Sequence, residues 1–254
     1  MSETCVCPCA ERVGEATSGA DTCAIVVAAG SGERFGDPRG KQFVELAGLP
    51  LVAWSILAFD AAPSVAALVV VCPPARAAEM RHDVLDRLEL RHEVTLAVGG
   101  ATRQDSVLSG LMAAPEECPI VAVHDGARPL IEQEQIERCI ATVRGSAEVA
   151  GAICATRVTD TIKVSDGNGT IASTADRDLL WAAQTPQVFW RERILAAHEA
   201  ALLEGYAGTD DASLCERRGE RVALVETSRD NLKVTLPEDL AMAEAILAAR
   251  LGIA

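Results

Sequence analysis

A glycine-rich loop with cationic side chains follows the first apolar segment of the chain. The stretch AIVVAAGSGERFGDPRGKQF begins as a buried strand and continues into glycines, Arg34 and Lys41. Backbone N–H groups of such a turn can face an anion, and the two cations add positive charge. The small residues Ala28, Ala29 and Gly30 let a base or a sugar approach the backbone closely. The loop therefore predicts a ligand that carries phosphate, and an ordinary strand-to-helix turn with solvated arginines is the alternative.

Two better-known phosphate loops do not fit this stretch. The dinucleotide-binding fingerprint needs Gly-x-Gly-x-x-Gly and an acid closing the second strand, but Phe35 occupies the third glycine position and the second strand ends in CPP. The P-loop needs Gly-x-x-x-x-Gly-Lys-Ser/Thr, but the spacing from Gly36 to Gly40 is one residue short and Gln42 follows the lysine. A nicotinamide-dependent oxidoreductase is therefore disfavoured.

Two later loops also place polar residues at the ends of predicted strands. GGATRQDSVLSGL puts Gly99 at a strand end and Arg103 and Ser106 in the first turn of a helix, although Ser106 also simply favours a helix start. VHDGARP supplies Asp125 and Arg128 directly after a strand. A carboxylate at that position suits a hard cation such as magnesium bound to phosphates, and a surface salt bridge is the alternative.

The elements that must position these loops alternate between apolar runs and amphipathic helical stretches. The predicted strands cover residues 24–29, 67–72, 93–98, 119–124 and 148–155. Predicted helices lie near residues 51–61, 76–89, 103–114 and 132–145. This order predicts an α/β fold, a mostly parallel sheet with helices on both faces. Ligands bind at the carboxyl ends of such strands, so we expect the three loops to meet there.

The alternation breaks after Ala155. From there to Phe189 the chain is polar, alternating, and carries the turn DGNG, which predicts a β-hairpin arm that stands off the main sheet, at about residues 157–178. Ile162, Val164 and Ile171 give this arm an apolar face, so a partner subunit is expected. Helices at 190–203 and 210–218, a strand at 221–225 and a closing helix from Pro237 complete one domain, residues 22–254, after an extension, residues 1–21, that is expected to be disordered.

The composition limits the partners. Asp and Glu outnumber Lys and Arg, 37 to 23, and the formal net charge is −14. Such a field repels polyanions, so neither nucleic acid nor an anionic membrane is an expected partner. The chain has no apolar run of about 18 residues and no secretory pattern at its start, and we expect a cytoplasmic protein.

The nine cysteines do not form a recognisable disulfide framework, because their number is odd and they are scattered. Five lie in or beside apolar segments and are predicted core residues: Cys72, Cys118, Cys139, Cys154 and Cys215. The segment CVCPC, with Cys5, Cys7 and Cys9, and the nearby Cys23 are more unusual. Their spacing matches no structural zinc pattern, so a metal site is the less favoured interpretation.

Six motifs, in this order, resemble those of the 2-C-methyl-D-erythritol 4-phosphate cytidylyltransferases of the non-mevalonate isoprenoid pathway. They are AAGSGERF…GKQF, GGATRQDSVLSGL, VHDGARP, DRDLLWAAQTPQVF, TDDASL and DNLKVTLPEDLAMAE. The first is shared by sugar nucleotidyltransferases in general, whereas the later ones are more specific. The resemblance covers residues 22–250 and implies a Rossmann-like nucleotidyltransferase fold with a protruding β-arm for dimerisation.

The resemblance also implies roles for individual residues. CTP would contact Ala28, Ala29, Gly30, Gly32, Gly99, Arg103 and Ser106. The catalytic cations would be Arg34 and Lys41 on the triphosphate and Lys233 between the two substrates. The polyol phosphate would contact Asp125, Arg128, Thr161, Arg177, Thr185 and Thr209, some of them across a homodimer. The Mg²⁺ ion would be held by Asp125 and Asp230.

The implied reaction is an in-line attack by the acceptor phosphate on the α-phosphorus of CTP, with pyrophosphate as leaving group. The nucleophile is already an anion, so the protein supplies positioning and positive charge rather than a general base. A cytidylyltransferase for another polyol phosphate, such as ribitol 5-phosphate, is the alternative within this class. A non-catalytic nucleotide-binding protein is the alternative outside it.

Overall fold

The computed structural model describes residues 19–30, 32 and 35–252. Within them, the strands are β1 (Thr22–Val27), β2 (Glu45–Leu46), β3 (Leu49–Pro50), β4 (Val65–Cys72), β5 (Val94–Val98), β6 (Ile120–Asp125), β7 (Gly151–Arg157), β8 (Lys163–Ser165), β9 (Ile171–Thr174), β10 (Trp181–Trp190) and β11 (Val222–Glu226). The α-helices are α1 (Leu51–Asp60), α2 (Ala77–Glu79), α3 (Arg103–Ala113), α4 (Gln133–Arg144), α5 (Arg191–Glu204), α6 (Asp211–Arg217) and α7 (Pro237–Leu251).

Seven of these strands form the main sheet, in the order β5, β4, β1, β6, β10, β7, β11. All of them run in one direction except β10, which is antiparallel to both of its neighbours. The chain builds outward from β1 to β4 and β5 and then returns to β6 on the other side of β1. Such a reversal opens a crevice at the carboxyl ends of β1 and β6.

The central strands are apolar on both faces because helices cover both. In β1, Ala24 and Val26 pack in one core cluster, whereas Cys23 and Ile25 pack in the other. The first cluster contains the buried faces of α1 and α4, and the second contains those of α3, α5 and α6. The predicted α/β fold, a mostly parallel sheet with helices on both faces, is therefore confirmed.

A third, smaller cluster joins the closing helix to the loops beside the crevice. Ala243 and Leu247 of α7 pack against Leu46, Leu130 and Val234. Val234 belongs to the NLKVT segment, which is a loop here. This contact fixes the segment that carries Lys233 at the edge of the crevice.

The sequence predicts no strand of the main sheet between the arm at about residues 157–178 and the helix predicted at 190–203, but the structure has one there, β10. β10 fills the position between β6 and β7, and Gln184, Thr185 and Gln187 within it are buried. These polar side chains make the segment look exposed in the sequence, but hydrogen bonds inside the protein satisfy them.

Residues 74–87 form successive 3-10, α and π turns in place of the regular helix predicted near 76–89. Their apolar residues Met80, Val84 and Leu85 still face the core. Cys23, which the sequence analysis grouped with the CVCPC cysteines as unusual, is a buried and free residue of β1. Cys5, Cys7 and Cys9 lie outside the described residues. The five cysteines predicted as core residues are all buried and free.

A two-stranded hairpin of β8 and β9 is present around the DGNG turn, and every residue of both strands is exposed. Ile162, Val164 and Ile171 are 39%, 47% and 66% exposed. The role of this hairpin in dimerisation stays a prediction. The predicted boundary between an extension, residues 1–21, and the domain, residues 22–254, also stays a prediction. Asp21, the last residue of that extension, forms an ion pair with Arg144 of α4.

Candidate active site

The loops after β1, β4, β5 and β6 begin as continuations of the sheet. The N–H of Ala28 donates to Val71 O at 2.8 Å, and the N–H of Gly126 donates to Val27 O at 2.9 Å. The N–H of Gly99 donates in the same way to Cys72 O at 2.8 Å. These bonds set the glycine-containing turns side by side, as the parallel sheet predicts.

Gly99 has no space for a side chain. A Cβ there would lie 2.3 Å from Ala29 Cβ and 3.3 Å from Ser106 Oγ. A second glycine, Gly40, has φ +97°, and a Cβ there would lie 2.8 Å from Oε1 of the buried Gln42 side chain. The loop after β5 therefore packs directly on the loop after β1, with Gly99 against Ala29. This close approach explains why both positions carry small residues.

Helix α3 begins at the crevice with a capping box. The Thr102 hydroxyl accepts from the N–H of Asp105 at 3.1 Å, and Asp105 Oδ2 accepts from the N–H of Thr102 at 3.0 Å. Ser106 donates to Thr102 O at 2.9 Å and accepts from the N–H of Gly100 at 3.1 Å. Ser106 thus shapes the loop that precedes Arg103, while one lone pair of its hydroxyl oxygen stays available.

A cavity of about 510 Å³ lies where these loops meet. Its lining includes seven of the predicted nucleotide and catalytic residues: Ala28, Ala29, Gly30, Lys41, Arg103, Ser106 and Lys233. Asp125 completes its charged lining, so three described cations face one carboxylate. In a chain with a net charge of −14, this cavity is a local site for an anion.

Asp125 is the electrostatic centre of the site. Lys233 Nζ lies 2.6 Å from Asp125 Oδ2, and Arg103 Nε lies 3.2 Å from Asp125 Oδ1. Burial alone would raise the pKa of Asp125, but the charges of Arg103 and Lys233 outweigh burial and hold that pKa well below its usual range. Asp125 is therefore an ionised oxygen donor at neutral pH.

The loop that carries Lys233 is tied to the rest of the site by main-chain atoms. Lys41 Nζ donates to Val234 O at 2.9 Å, and Arg128 Nη1 donates to Asn231 O at 2.7 Å. The buried Asn231 amide donates to Gln184 Oε1 and to Thr185 O, both at 2.9 Å. Burial lowers the pKa of Arg128 from its usual value. The loop from residue 231 to residue 234 is therefore held on three sides.

A second cavity, of about 270 Å³, adjoins the first. Four of the residues predicted to contact the polyol phosphate line it: Asp125, Arg128, Thr185 and Thr209. The two cavities share Arg103, Asp125 and Lys233. The shared residues form a charged boundary between the two cavities, and the remaining lining residues differ between them.

The hydroxyl of Thr185 is already used inside the protein. His124 Nε2 lies 3.1 Å from Arg128 O, which can only accept, so Nε2 carries the proton and Nδ1 accepts from Thr185 Oγ1 at 3.1 Å. Thr185 Oγ1 in turn accepts from the N–H of Asp125 at 3.0 Å. Burial lowers the pKa of His124 to about 4. A neutral histidine and Thr185 therefore orient the backbone of Asp125.

Other predicted residues lie outside both cavities. Asp230 lines neither, and its carboxylate is 3.4 Å from Arg250, so the structure does not bring it to Asp125. Thr161 and Arg177 lie on the exposed segment beside the hairpin, where Arg177 donates to Thr159 O. Gly32 and Gly99 are next to the larger cavity and shape its loops. Arg34 lies outside the described residues.

Several residues of the site were not predicted from the sequence. They are Gln42, His124, Gln184, Gln187, Asp210, Asp211 and Asn231, and all but Asp210 are buried. Gln184 and Gln187 are polar residues that stand among small and apolar ones in the motif AAQTPQVF. That local contrast is the signal that could have found them, because a buried polar group needs an internal partner.

Two further findings concern metal-binding groups and membrane-spanning helices in the described part of the chain. No group of three His, Cys, Asp or Glu side chains among these residues could by itself hold a metal ion. Among the same residues, no helix has the length and apolar character that crossing a bilayer requires.

The parallel sheet, the glycine-rich loop after its first strand and the cation-lined cavity at its carboxyl edge together define a nucleotidyltransferase-like α/β protein. Residues 22–249 match the family model of 2-C-methyl-D-erythritol 4-phosphate cytidylyltransferase. The chain therefore belongs to this family.

Named relatives agree with the family match. The chain is 46% identical over 227 residues to the 2-C-methyl-D-erythritol 4-phosphate cytidylyltransferase of Prochlorococcus marinus, covering 89% of this chain and 98% of the relative. It is 42% identical over 229 residues to that of Pelotomaculum thermopropionicum, with 90% and 95% covered.

Solved structures extend the agreement to the fold. The 4-diphosphocytidyl-2C-methyl-D-erythritol synthase of Anaerococcus prevotii superposes with a TM-score of 0.81 at 27% identity, covering 91% of this chain and 98% of that one. The cytidylyltransferase of Thermus thermophilus gives a TM-score of 0.68 at 30% identity, with 88% and 97% covered.

Proposed function

We propose that this protein transfers a cytidylyl group from CTP to 2-C-methyl-D-erythritol 4-phosphate and releases pyrophosphate, a step in isoprenoid precursor biosynthesis. Family membership supports the reaction. The observation that carries the proposal in this chain is the pair of adjoining cavities with Arg103, Asp125 and Lys233 on their boundary. Two anionic substrates in neighbouring compartments need such positive charge between them.

The larger cavity is the proposed CTP site. Its small loop residues Ala28, Ala29 and Gly30 leave the backbone accessible to the base and ribose. Lys41 extends into the same cavity from the far end of the glycine-rich loop, which suits a contact with the triphosphate. Arg34 stays part of this proposal on the sequence alone.

The smaller cavity is the proposed polyol phosphate site. Arg128 and Thr209 supply a guanidinium and a hydroxyl, and the hydroxyl proton of Thr185 is occupied by His124. Thr185 therefore contributes to this site chiefly by shaping it and by orienting Asp125. Thr161 and Arg177 belong to the proposal only if a partner subunit brings its hairpin segment to this cavity.

In the proposed reaction an oxygen of the acceptor phosphate forms a bond with the α-phosphorus, and the bond between the α-phosphorus and the bridging oxygen of pyrophosphate breaks. The electron pair leaves with the pyrophosphate, and no proton has to be removed from the nucleophile. Lys233 and Arg103 at the boundary would offset the charge that grows on the α-phosphate, and Lys41 would do so on the leaving group. Fixed cations act without reorganisation at the moment of reaction.

A magnesium ion is the proposed cofactor, and the donor set fits one. Mg²⁺ in phosphate-transfer sites is bound by one or two carboxylates together with substrate phosphates. Asp125 is such a carboxylate, ionised and facing both cavities. When bound, the ion would withdraw charge from the phosphates. Asp230 is not included, since it pairs with Arg250 outside the cavities.

A homodimer and a cytoplasmic location complete the proposal. The exposed apolar residues of the hairpin segment suit a second subunit. The six cysteines of the described residues are all free, which fits a reducing compartment.

The test is pyrophosphate release from purified protein with CTP and MgCl₂, measured with 2-C-methyl-D-erythritol 4-phosphate, with ribitol 5-phosphate and with no acceptor. Release with the first acceptor alone supports the proposal, and it should stop when EDTA replaces MgCl₂. Release of pyrophosphate with ribitol 5-phosphate alone would mean that the protein is a cytidylyltransferase for another polyol phosphate. No release with either acceptor, despite CTP binding in calorimetry, would favour the non-catalytic alternative.

A further inference from the structure

A buried carboxylate lies behind the boundary of the two cavities. Asp211, the first residue of α6, is 1% exposed, and its Oδ2 lies 2.9 Å from Arg103 Nη1. The same guanidinium contacts Asp125 through Nε at 3.2 Å. Arg103 thus bridges one carboxylate that faces both cavities and one that lines neither.

Asp211 is held rigidly. Gln187 Oε1 accepts from the N–H groups of Asp211 and Ala212, each at 3.1 Å. Gln187 Nε2 donates to Asp210 Oδ2 at 2.8 Å, and Asp210 caps α6 by accepting from the N–H of Ser213. Since Gln187 belongs to the central strand β10, the main sheet fixes the backbone of Asp211, from which the carboxylate reaches Arg103.

Asp211 also affects which ion pairs form at the boundary of the two cavities. With both carboxylates present, Asp125 can pair with Lys233 through one oxygen while it shares Arg103 with Asp211. Without Asp211, the nearest carboxylate left to Arg103 is Asp125. A guanidinium forms bidentate pairs with a carboxylate readily, so Arg103 would then compete with Lys233 for both oxygens of Asp125.

We propose that Asp211 is a positioning residue that holds the Arg103 guanidinium at the boundary of the two cavities and keeps it from collapsing onto Asp125. Arg103 then points at the phosphates, and Asp125 stays available to Lys233. Asp211 lines neither cavity and acts on the site through Arg103, while its other carboxylate oxygen lies 3.6 Å from Nε2 of the buried His198. This inference rests on the proposed function, because turnover is its readout.

The experiment is a double-mutant cycle in the pyrophosphate assay with wild type, Asp211→Asn, Arg103→Met and the double variant. Asp211→Asn should lower kcat by about tenfold, within the coupling range of residues in one ion-pair network. It should cause no further loss of kcat in the Arg103→Met background. Asp211→Glu keeps the charge but moves the carboxylate by one methylene, and it should give a smaller loss that also disappears in that background.

Asp60→Asn is the matched control. Asp60 is another buried carboxylate, bound to the N–H groups of Arg91 and His92 before β5, and it lines neither cavity. The Asp60→Asn variant should have a lower Tm than wild type, as Asp211→Asn does, but an unchanged kcat. A purely structural role of Asp211 would make the two variants behave alike.

Three results would overturn the inference: wild-type kcat in Asp211→Asn, an equal loss of kcat on both backgrounds, or a parallel loss in Asp60→Asn. If Asp211→Asn does not fold, the same comparison is made with Asp211→Glu. An inactive wild-type protein would overturn the proposed function instead, so the two failures are distinguishable.

Discussion

Lys233 and Asp125 are 108 positions apart in the chain, and Lys233 Nζ lies 2.6 Å from Asp125 Oδ2 at the boundary of two cavities. Asp125 ends a central strand, whereas Lys233 lies on a loop that α7 packs into place. The Asp125 carboxylate holds the Lys233 ammonium in position at the boundary of the two cavities.

Replacement of Lys233 by alanine should lower kcat by about 100-fold or more, because one fixed donor to the reacting phosphate is lost. The Tm should change little, since the lysine side chain is 39% exposed. Steady-state kinetics with both substrates and a thermal melt measure the two effects. The matched control is Arg221→Ala, which removes an exposed cation that pairs with Glu148 away from both cavities. Near-normal turnover in Lys233→Ala would remove this lysine from the mechanism.

His124 should make the protein less stable as the pH falls from about 6.5 to about 4. Burial lowers the folded-state pKa of His124 to about 4, so in this range the unfolded chain binds a proton that the folded protein does not. The unfolding free energy therefore rises with pH across this window. The contribution of this one group is on the order of 2 kcal/mol.

The measurement for His124 is urea unfolding at pH 7 and pH 4.5. His124→Gln keeps a donor and an acceptor but does not titrate, so its unfolding free energy should fall less between the two pH values than that of wild type. His82→Gln removes an exposed histidine that pairs with Asp86, and it should behave like wild type. Equal slopes in wild type and His124→Gln would contradict the assignment.

Gly99→Ala should destabilise the protein by about 1 to 3 kcal/mol and raise the KM for CTP, because its Cβ would overlap Ala29 Cβ at 2.3 Å. Gly30→Ala provides the comparison. No atom of the described residues lies within 4 Å of the corresponding Cβ there, yet Gly30 lines the larger cavity. The Gly30→Ala variant should therefore have a higher KM for CTP and an unchanged Tm. A normal Tm for Gly99→Ala would show that the loop adapts.

Ile171→Lys should convert the proposed dimer to monomers, because it places a charge on the apolar face of the hairpin. Sedimentation velocity across a range of concentrations measures the change, and turnover should fall with it if the partner completes the acceptor site. Leu203→Lys is the control, since Leu203 is an 89% exposed apolar residue on α5. A wild-type protein that stays monomeric and fully active at all concentrations would contradict the dimer.

The fold was largely predictable because its signals are local. Apolar runs such as those of β1 and β4 are readable from neighbouring residues. Apart from the regular helix predicted near 76–89, the predicted strands and helices of the first 150 residues agree with the structure to within a few positions. β10 was missed because Gln184, Thr185 and Gln187 look solvent-exposed in the sequence. Their hydrogen-bond partners lie on distant segments, so no local pattern identifies them as buried.

The sequence by itself determined the alternating architecture, the loops that carry charge at strand ends and the family. These follow from residue type and order, which are properties of the chain alone. Only the tertiary structure decided which charges meet. It brought Lys233 and Arg103 onto Asp125, committed the Thr185 hydroxyl to His124, and left Asp230 with Arg250. Ion pairs and hydrogen bonds depend on distances of about 3 Å between side chains far apart in sequence, and those distances exist only after the sheet and helices have packed.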